Sequence, residues 1–176
     1  MPKLTEDELF AFLDEREHLV RIGTVDADGM PRVVPLWFIR QGDDICFTPR
    51  TPALVHINLA RDPRVALSID EDPLPYRKVT VQGHARLLHG PGEDDVWRDL
   101  YRAIAQRYIT VDAAEGYVQG TIDQPRALYA VSLRDATTKL STWRMPVEGE
   151  DGTGIWARRY YGDGTIMARM ADGGGE

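Results

Sequence analysis

A single cysteine, Cys46, in 176 residues excludes an intramolecular disulfide framework and any metal site built from several cysteines. Within DDICFT, a strand-like stretch, it reads as a small buried apolar residue rather than a nucleophile. No apolar run has the length of a bilayer-spanning helix, and the opening MPKLTEDELF has no basic-then-apolar leader pattern, so a cytoplasmic protein is expected. Lysine is scarce: three of the 21 basic residues, which leaves arginine to carry nearly all the positive charge. Arginine suits bidentate grip of phosphate or carboxylate, although genome composition produces the same excess. The net charge of −7 argues against nucleic acid and anionic membranes as partners. The histidines at 18, 56, 84 and 89 lack metal-ligand spacing, and neither a GxSxG elbow nor a phosphate-binding glycine loop is present.

What is present is ordinary globular composition, 43% apolar and 28% charged, in a chain sized for one domain. That domain is expected over 1–168, with 169–176 a disordered tail rich in glycine. Thr5 and Glu8 form a capping-box pattern ahead of Leu9, Phe10, Phe12 and Leu13, which predicts an amphipathic helix over 5–17. From Leu19 the period turns to two. LVRIGTV, PRVVPLWFI and ICFTP, separated by DADG and RQGDD, predict three consecutive antiparallel strands. A short helix ending at Asp62-Pro63 follows, then strands over 64–70 and 76–88, with Gly83 marking a bulge or bend. Helices are expected over 96–109 and near 112–119, then strand over 127–143 and a last strand over 155–161. Tyr101, Tyr108 and Trp97 on the first of these helices read as core or dimer packing. Six or seven short strands with few helices predict a mainly β, closed antiparallel barrel decorated by helices.

Pro35 raises a separate question, because a proline inside an apolar strand cannot donate a ladder hydrogen bond. The order IGTVDADGMPRVVPLWF, DICFTPR, NLARDPRVAL, YRKVTVQGHARLL resembles the pyridoxamine 5′-phosphate oxidase-like split-barrel family of flavin and deazaflavin proteins. The resemblance covers roughly residues 5–143 and is sharpest over 22–88. It implies a six-stranded split barrel, a homodimer, and two cofactor sites in the dimer interface.

By the same resemblance Val34, Pro35, Leu36 and Trp37 form the surface on which an isoalloxazine ring lies, and Arg32 holds the flavin phosphate. The competing assignments are a ligand-free edge strand and a solvated arginine. The family's Ser/Thr-x-Lys triplet is replaced by Ala53, Leu54 and Val55, so Thr48, Arg50 and Thr51 become the substitute anion ligands at a helix N-terminus. Arg77 and Lys78 match the residue pair that approaches the ring, Trp143 matches the tryptophan that closes over it, and Arg158 or Arg159 matches a substrate-side arginine. The oxidase's Arg-x-His substrate motif is absent, which argues against a vitamin B6 substrate.

The function implied is an oxidoreductase that moves a hydride between FMN, or alternatively the deazaflavin F420, and a small planar substrate. No side chain stands out as acid or base. The alternatives are a carrier of flavin, F420 or haem without rapid turnover, and a haem protein with His56 or His84 as axial ligand.

Overall fold

The computed structural model describes residues 2–73 and 76–146. The strand expected over 155–161, with Arg158 and Arg159, and the tail 169–176 lie outside the described residues. The elements are α1 Glu6–Asp14, β1 Val20–Val25, β2 Pro31–Leu36, β3 Phe38–Gln41, β4 Asp44–Phe47, α2 Leu54–Arg61, β5 Arg64–Asp70, β6 Lys78–His84, β7 Arg86–His89, α3 Arg98–Gln106, α4 Val111–Gly120, β8 Leu128–Ser132 and β9 Lys139–Trp143.

The strands form two antiparallel sheets, ordered β2-β1-β5-β6-β9 and β3-β4-β8-β7. Three strands that the sequence pattern presents as continuous are each cut in two, at Trp37, at Ala85 and across 133–138, and the halves join different sheets. Rejoined, the nine segments are six strands. Each of the six pairs with two neighbours around a ring: β1 with β2 and β5, β5 with β6, β6/β7 with β9/β8, β8 with β4, and β4 with β3. The molecule is therefore a mainly β split barrel, closed by strands that serve both sheets.

A strand that leaves one ladder for another frees a backbone donor at the break, and each such donor is caught. Phe38 N–H donates to the Tyr108 hydroxyl at 3.1 Å. Ala85 N–H donates to Pro63 O and Leu133 N–H to Asp43 O, both at 2.8 Å. The bend expected at Gly83 falls instead at Ala85. Gly83 stays paired with Val65, and a Cβ there would stand 3.0 Å from Thr138 Oγ1, so the glycine serves a close approach.

Alternation sorts the core. Val20 and Ile22, Val65, Leu67 and Ile69, and Val79 and Val81 point inward, where Phe12, Phe38, Phe47 and Tyr129 fill the barrel. α3 and α4 cover the outer side of β4 and β8 through Cys46, Trp97, Tyr101, Val118, Leu128 and Ala130. With both faces covered, β8 is apolar along nearly its whole length. Burial pushes the Cys46 thiol up to about 12, in keeping with an inert packing residue.

At α1, Thr5 and Glu8 make the expected capping box, at 3.3 and 2.7 Å. The helix has no basic residue in its last turn. Arg107, just beyond α3, takes that role by donating to Leu13 O and Glu15 O at 2.8 and 2.6 Å. Among the described residues no helix is long and apolar enough to cross a membrane.

Phe47 is fully buried and stacked on Tyr129 at 5.9 Å. Replacing it with Ala is expected to cost about 3–5 kcal/mol, read as a lower urea midpoint with an unchanged slope.

Candidate functional site

α1, α2 and the α3–α4 pair pack elsewhere, and among the described residues nothing covers the outer face of the five-stranded sheet. Register places its side chains in rows. One row runs Pro35, Arg21, Ser68, Thr80, Ser141, and the next runs Val33, Gly23, Ala66, Gln82, Lys139. Gly23 and Ala66 sit side by side, and a Cβ on Gly23 would already stand 3.4 Å from Ala66 O. The sheet is therefore hollow at its middle. A groove of about 620 Å³ runs over this trough, with Arg32, Arg64, His84 and Lys139 among its walls, and a second of about 570 Å³ adjoins it towards Ser68 and Thr80. Both volumes are in the range of small-molecule sites.

β2 borders the trough as an edge strand, which is where a proline can stand without breaking a ladder. Pro35 lies on the open face together with Val33, which is 67% exposed. Val34 and Leu36 turn the other way, against the barrel core. Trp37, at the break between sheets, stacks on Tyr108 at 5.0 Å and meets Tyr117 edge-on at 5.3 Å. Of the four residues expected to line the ring, the structure brings only Pro35 to the open face. Val33 was signalled by the period of two, which groups it with Pro31 and Pro35.

Arg32 borders the groove at the β2 edge, on the same face of the strand as Val34 and Leu36, and is held in a fork. Its Nε and Nη2 donate to Asp26 at 2.8 and 2.7 Å. Asn58 of α2, buried, donates to the same carboxylate at 2.7 Å and to Thr24 Oγ1 at 3.1 Å. Hydrogen bonds from Arg32 and Asn58 lower the Asp26 carboxyl to about 2, so the pair is ionised at any working pH.

The second expected anion group lies on the side of the α3–α4 helices. Thr51 N–H and its hydroxyl both donate to Pro125 O, at 3.0 and 2.8 Å. Thr48 is buried, with its carbonyl accepting from Arg126. Arg50 is exposed and bridges to Arg126 through the backbone. Arg32 is tied to the Asn58 level of α2, whereas Arg50 precedes Ala53, about 8 Å back along the helix axis at 1.5 Å per residue. No contact joins the two arginines.

At the opposite edge of the open face Lys78 and Trp143 are register partners, with Lys78 Nζ 5.4 Å from the ring centroid. Arg77, one residue earlier, faces the other way. Its guanidinium lies over Phe12 at 4.7 Å and makes four charged bonds of 2.6–2.8 Å to Glu71 and Glu15. Glu15, His18 and Glu71 could offer ligand atoms within 4.8 Å of one another, but Arg77 already bridges the two carboxylates.

The family profile described as pyridoxamine 5′-phosphate oxidase matches residues 5–139. The chain belongs to that family. No curated protein sequence matches it. Among solved structures, a conserved hypothetical protein from Mycobacterium tuberculosis superposes with a TM-score of 0.65 at 20% identity, covering 85% of this chain and 94% of that one. An F420 reductase gives 0.52 at 24% identity, covering 75% and 94%. The haem storage protein HutZ from Vibrio cholerae gives 0.56 at 18%, covering 77% and 94%. These likenesses show the pyridoxamine 5′-phosphate oxidase-like fold.

Against the family pattern, Ala53, Leu54 and Val55 at the start of α2 carry neither hydroxyl nor ammonium, and Ala53 caps the helix without a side-chain bond. The cationic side chains of the sheet face are Lys139 and Arg64, the latter forked by Asp62 at 3.0 and 2.6 Å, while Arg32 lies on the other face of β2, with Val34 and Leu36. The sequence presented Lys139 and Arg64 only as ordinary strand residues.

The Arg77 clamp generates a pH prediction. Its hydrogen bonds hold the carboxyls of both Glu15 and Glu71 below their usual 4.5. The unfolded chain therefore binds these protons more readily, so the stabilisation is complete above about pH 4.5 and is lost as pH falls through the folded values. Urea midpoints followed downwards from neutral pH should fall on the acid side in the natural protein and fall less steeply in Arg77→Met.

Proposed function

We propose that this protein is a flavin-type oxidoreductase that works as a homodimer, holding a tricyclic redox cofactor on the open sheet face and exchanging hydride with a small planar organic substrate. The observation that carries this reading is the trough at Gly23 and Ala66, floored by small residues, bordered by Val33 and Pro35, and walled by Arg64 and Lys139, with Arg32 at its rim. A flat ring needs a surface without protruding side chains, and its anionic tail needs guanidinium or ammonium donors. Both requirements meet in this groove. Bound there, a flavin or deazaflavin supplies the hydride chemistry, while the chain orients it and keeps water from its face. FMN is the leading candidate and F420 the alternative, as the name of one structural neighbour indicates.

Spacing supports the homodimer. From Pro35 across to Ser141 is four strand steps, about 19 Å at 4.8 Å per step. Lys78, on β6, is three steps from β2 and Trp143, on β9, is four, about 14 and 19 Å, too far to meet a ring seated by Pro35 of the same chain. In a face-to-face pair, Lys78 and Trp143 of a second copy come over it. The groove walls of one chain and the far edge of the other together complete each site, which gives two sites per dimer.

A haem-carrying reading rests on His84, which lines the groove wall with Nδ1 3.3 Å from Thr137 Oγ1. His56 is less suited, since its Nδ1 is hydrogen-bonded to Tyr129 at 3.0 Å. Absorption spectra separate the readings: a flavin band near the visible blue, a violet-shifted deazaflavin band, or a Soret band.

Equilibrium titration with FMN and with riboflavin tests the anion grip. Arg32→Ala is expected to weaken FMN by about 1.5–3 kcal/mol and leave riboflavin unchanged. An equal effect on both, or none on FMN, would remove Arg32 from the phosphate site. Light scattering tests the assembly. Val33→Asp places a charge in the middle of the paired faces and is expected to shift the particle from two chains to one and to abolish FMN binding with it.

A further inference from the structure

One row of side chains crosses the whole open sheet, with one residue from each strand: Val33, Gly23, Ala66, Gln82 and Lys139. Its chemistry changes in order, from an apolar branch, through a bare backbone and a single methyl, to a neutral amide and then an ammonium. Neighbouring strands are about 4.8 Å apart, so Gln82 stands midway along the roughly 10 Å between Ala66 and Lys139. Gln82 and Lys139 line both grooves, and Ser141, on the same face of β9, lines the second.

Among the described residues neither the Gln82 amide nor the Ser141 hydroxyl makes a hydrogen bond, and Lys139 has no carboxylate partner. The hydroxyls beside them are engaged: Ser68 donates to Asp70 at 3.3 Å, and Thr80 donates to Ser141 O at 3.5 Å. On a bare surface, solvent serves a free amide or hydroxyl. On a face that a second copy covers, such a group is costly unless something else bonds to it. The amide has an acceptor oxygen and a donor NH2, and the serine hydroxyl both donates and accepts. An alcohol does the same, so a chain of hydroxyls is a neutral partner that satisfies both. A hydrocarbon linker passing between Ala66 and Lys139 would leave both unserved.

We propose that Gln82 and Ser141 form a subsite for the hydroxylated chain that joins the ring of a flavin or deazaflavin to its phosphate. The inference rests on the cofactor reading of the groove and deepens it. The protein then selects its ligand by the chain as well as by the ring. A porphyrin bears its carboxylates on short hydrocarbon arms and offers Gln82 no hydroxyl.

Equilibrium binding of lumiflavin, riboflavin and FMN, each with its 5-deaza counterpart, to the full chain tests the subsite. These ligands add first the hydroxylated chain and then the phosphate to one ring. The natural protein is expected to bind riboflavin more tightly than lumiflavin, by about three- to tenfold for each hydrogen bond made. Gln82→Met keeps the length of the side chain and deletes the amide. It should bring riboflavin down towards lumiflavin, leaving lumiflavin itself and the ratio of FMN to riboflavin unchanged. Adding Ser141→Ala should remove the remaining preference. Equal affinity of the natural protein for lumiflavin and riboflavin, or an equal loss on both in Gln82→Met, overturns the subsite and leaves the groove reading standing. If no ring compound binds, the cofactor reading falls and the subsite with it.

Discussion

Three strands are each shared between two sheets, and the remaining organisation depends on how the chain tolerates those breaks. At each break a backbone N–H leaves its ladder, and a buried donor without an acceptor costs about as much as the strand pairing gains. At Phe38 the acceptor is the Tyr108 hydroxyl, which itself donates to His18 O at 2.7 Å. Tyr108 follows α3, so the sheet-to-sheet crossing of β2/β3 requires the α3–α4 pair in place. The same requirement draws Trp37 under those helices. One face of the barrel is thereby sealed, and among the described residues the outer face of the five-stranded sheet is the side without cover.

Arginine supplies much of the connection between elements, by a different mechanism at each site. Arg107 joins α3 to α1 by capping carbonyls, where its charge meets the negative end of a helix. Arg77 joins β6 to α1 and to the segment after β5 through two carboxylates. Arg40 pairs with Asp14 and lies 4.6 Å over Phe10, covering an apolar ring that α1 does not bury. The scarcity of lysine fits this usage, because a planar fork with five donors can serve two partners in fixed directions and an ammonium cannot. Among the described residues these arginines serve the fold, and even Arg64 on the sheet face is forked by Asp62.

The fold was legible from Leu19 onward because period two, tight turns and a proline at an edge are local signals, and the ring of six strands needs only their order. The breaks at Trp37, Ala85 and 133–138 were not legible. They are set by where two sheets part in space, and neither Trp37 nor Ala85 is a breaking residue, while Gly83, the glycine expected to mark a bulge or bend, answers to Thr138 across the barrel. The same reason limits the site. A resemblance names positions, but the face on which a position lies depends on the local register. Val34 and Leu36 fall on the core side of β2, and Arg77 falls opposite Lys78. Asp26 reads in sequence as a turn residue, and nothing near it announces that Asn58, 32 residues later, will bond to it.

Asp26 also decides how an anion can be held. By filling the fork of Arg32 it fixes the guanidinium in direction and removes the rotamer freedom that a free arginine would lose on binding. It also places a full negative charge on the far side, which reduces the attraction for a phosphate. One arginine held this way orients a ligand better than it attracts one. The attraction must then come from neighbours, and the start of α2 cannot provide it, since Ala53, Leu54 and Val55 carry no donors. Arg64, in the row beside Gly23 and Ala66, is forked by Asp62 in the same way, at 3.0 and 2.6 Å, so the charge falls to Lys139, at the end of their own row. In the proposed function the grip on the cofactor's anionic tail has moved from a helix terminus to the open sheet, and the motif missing from the sequence is a consequence of that move.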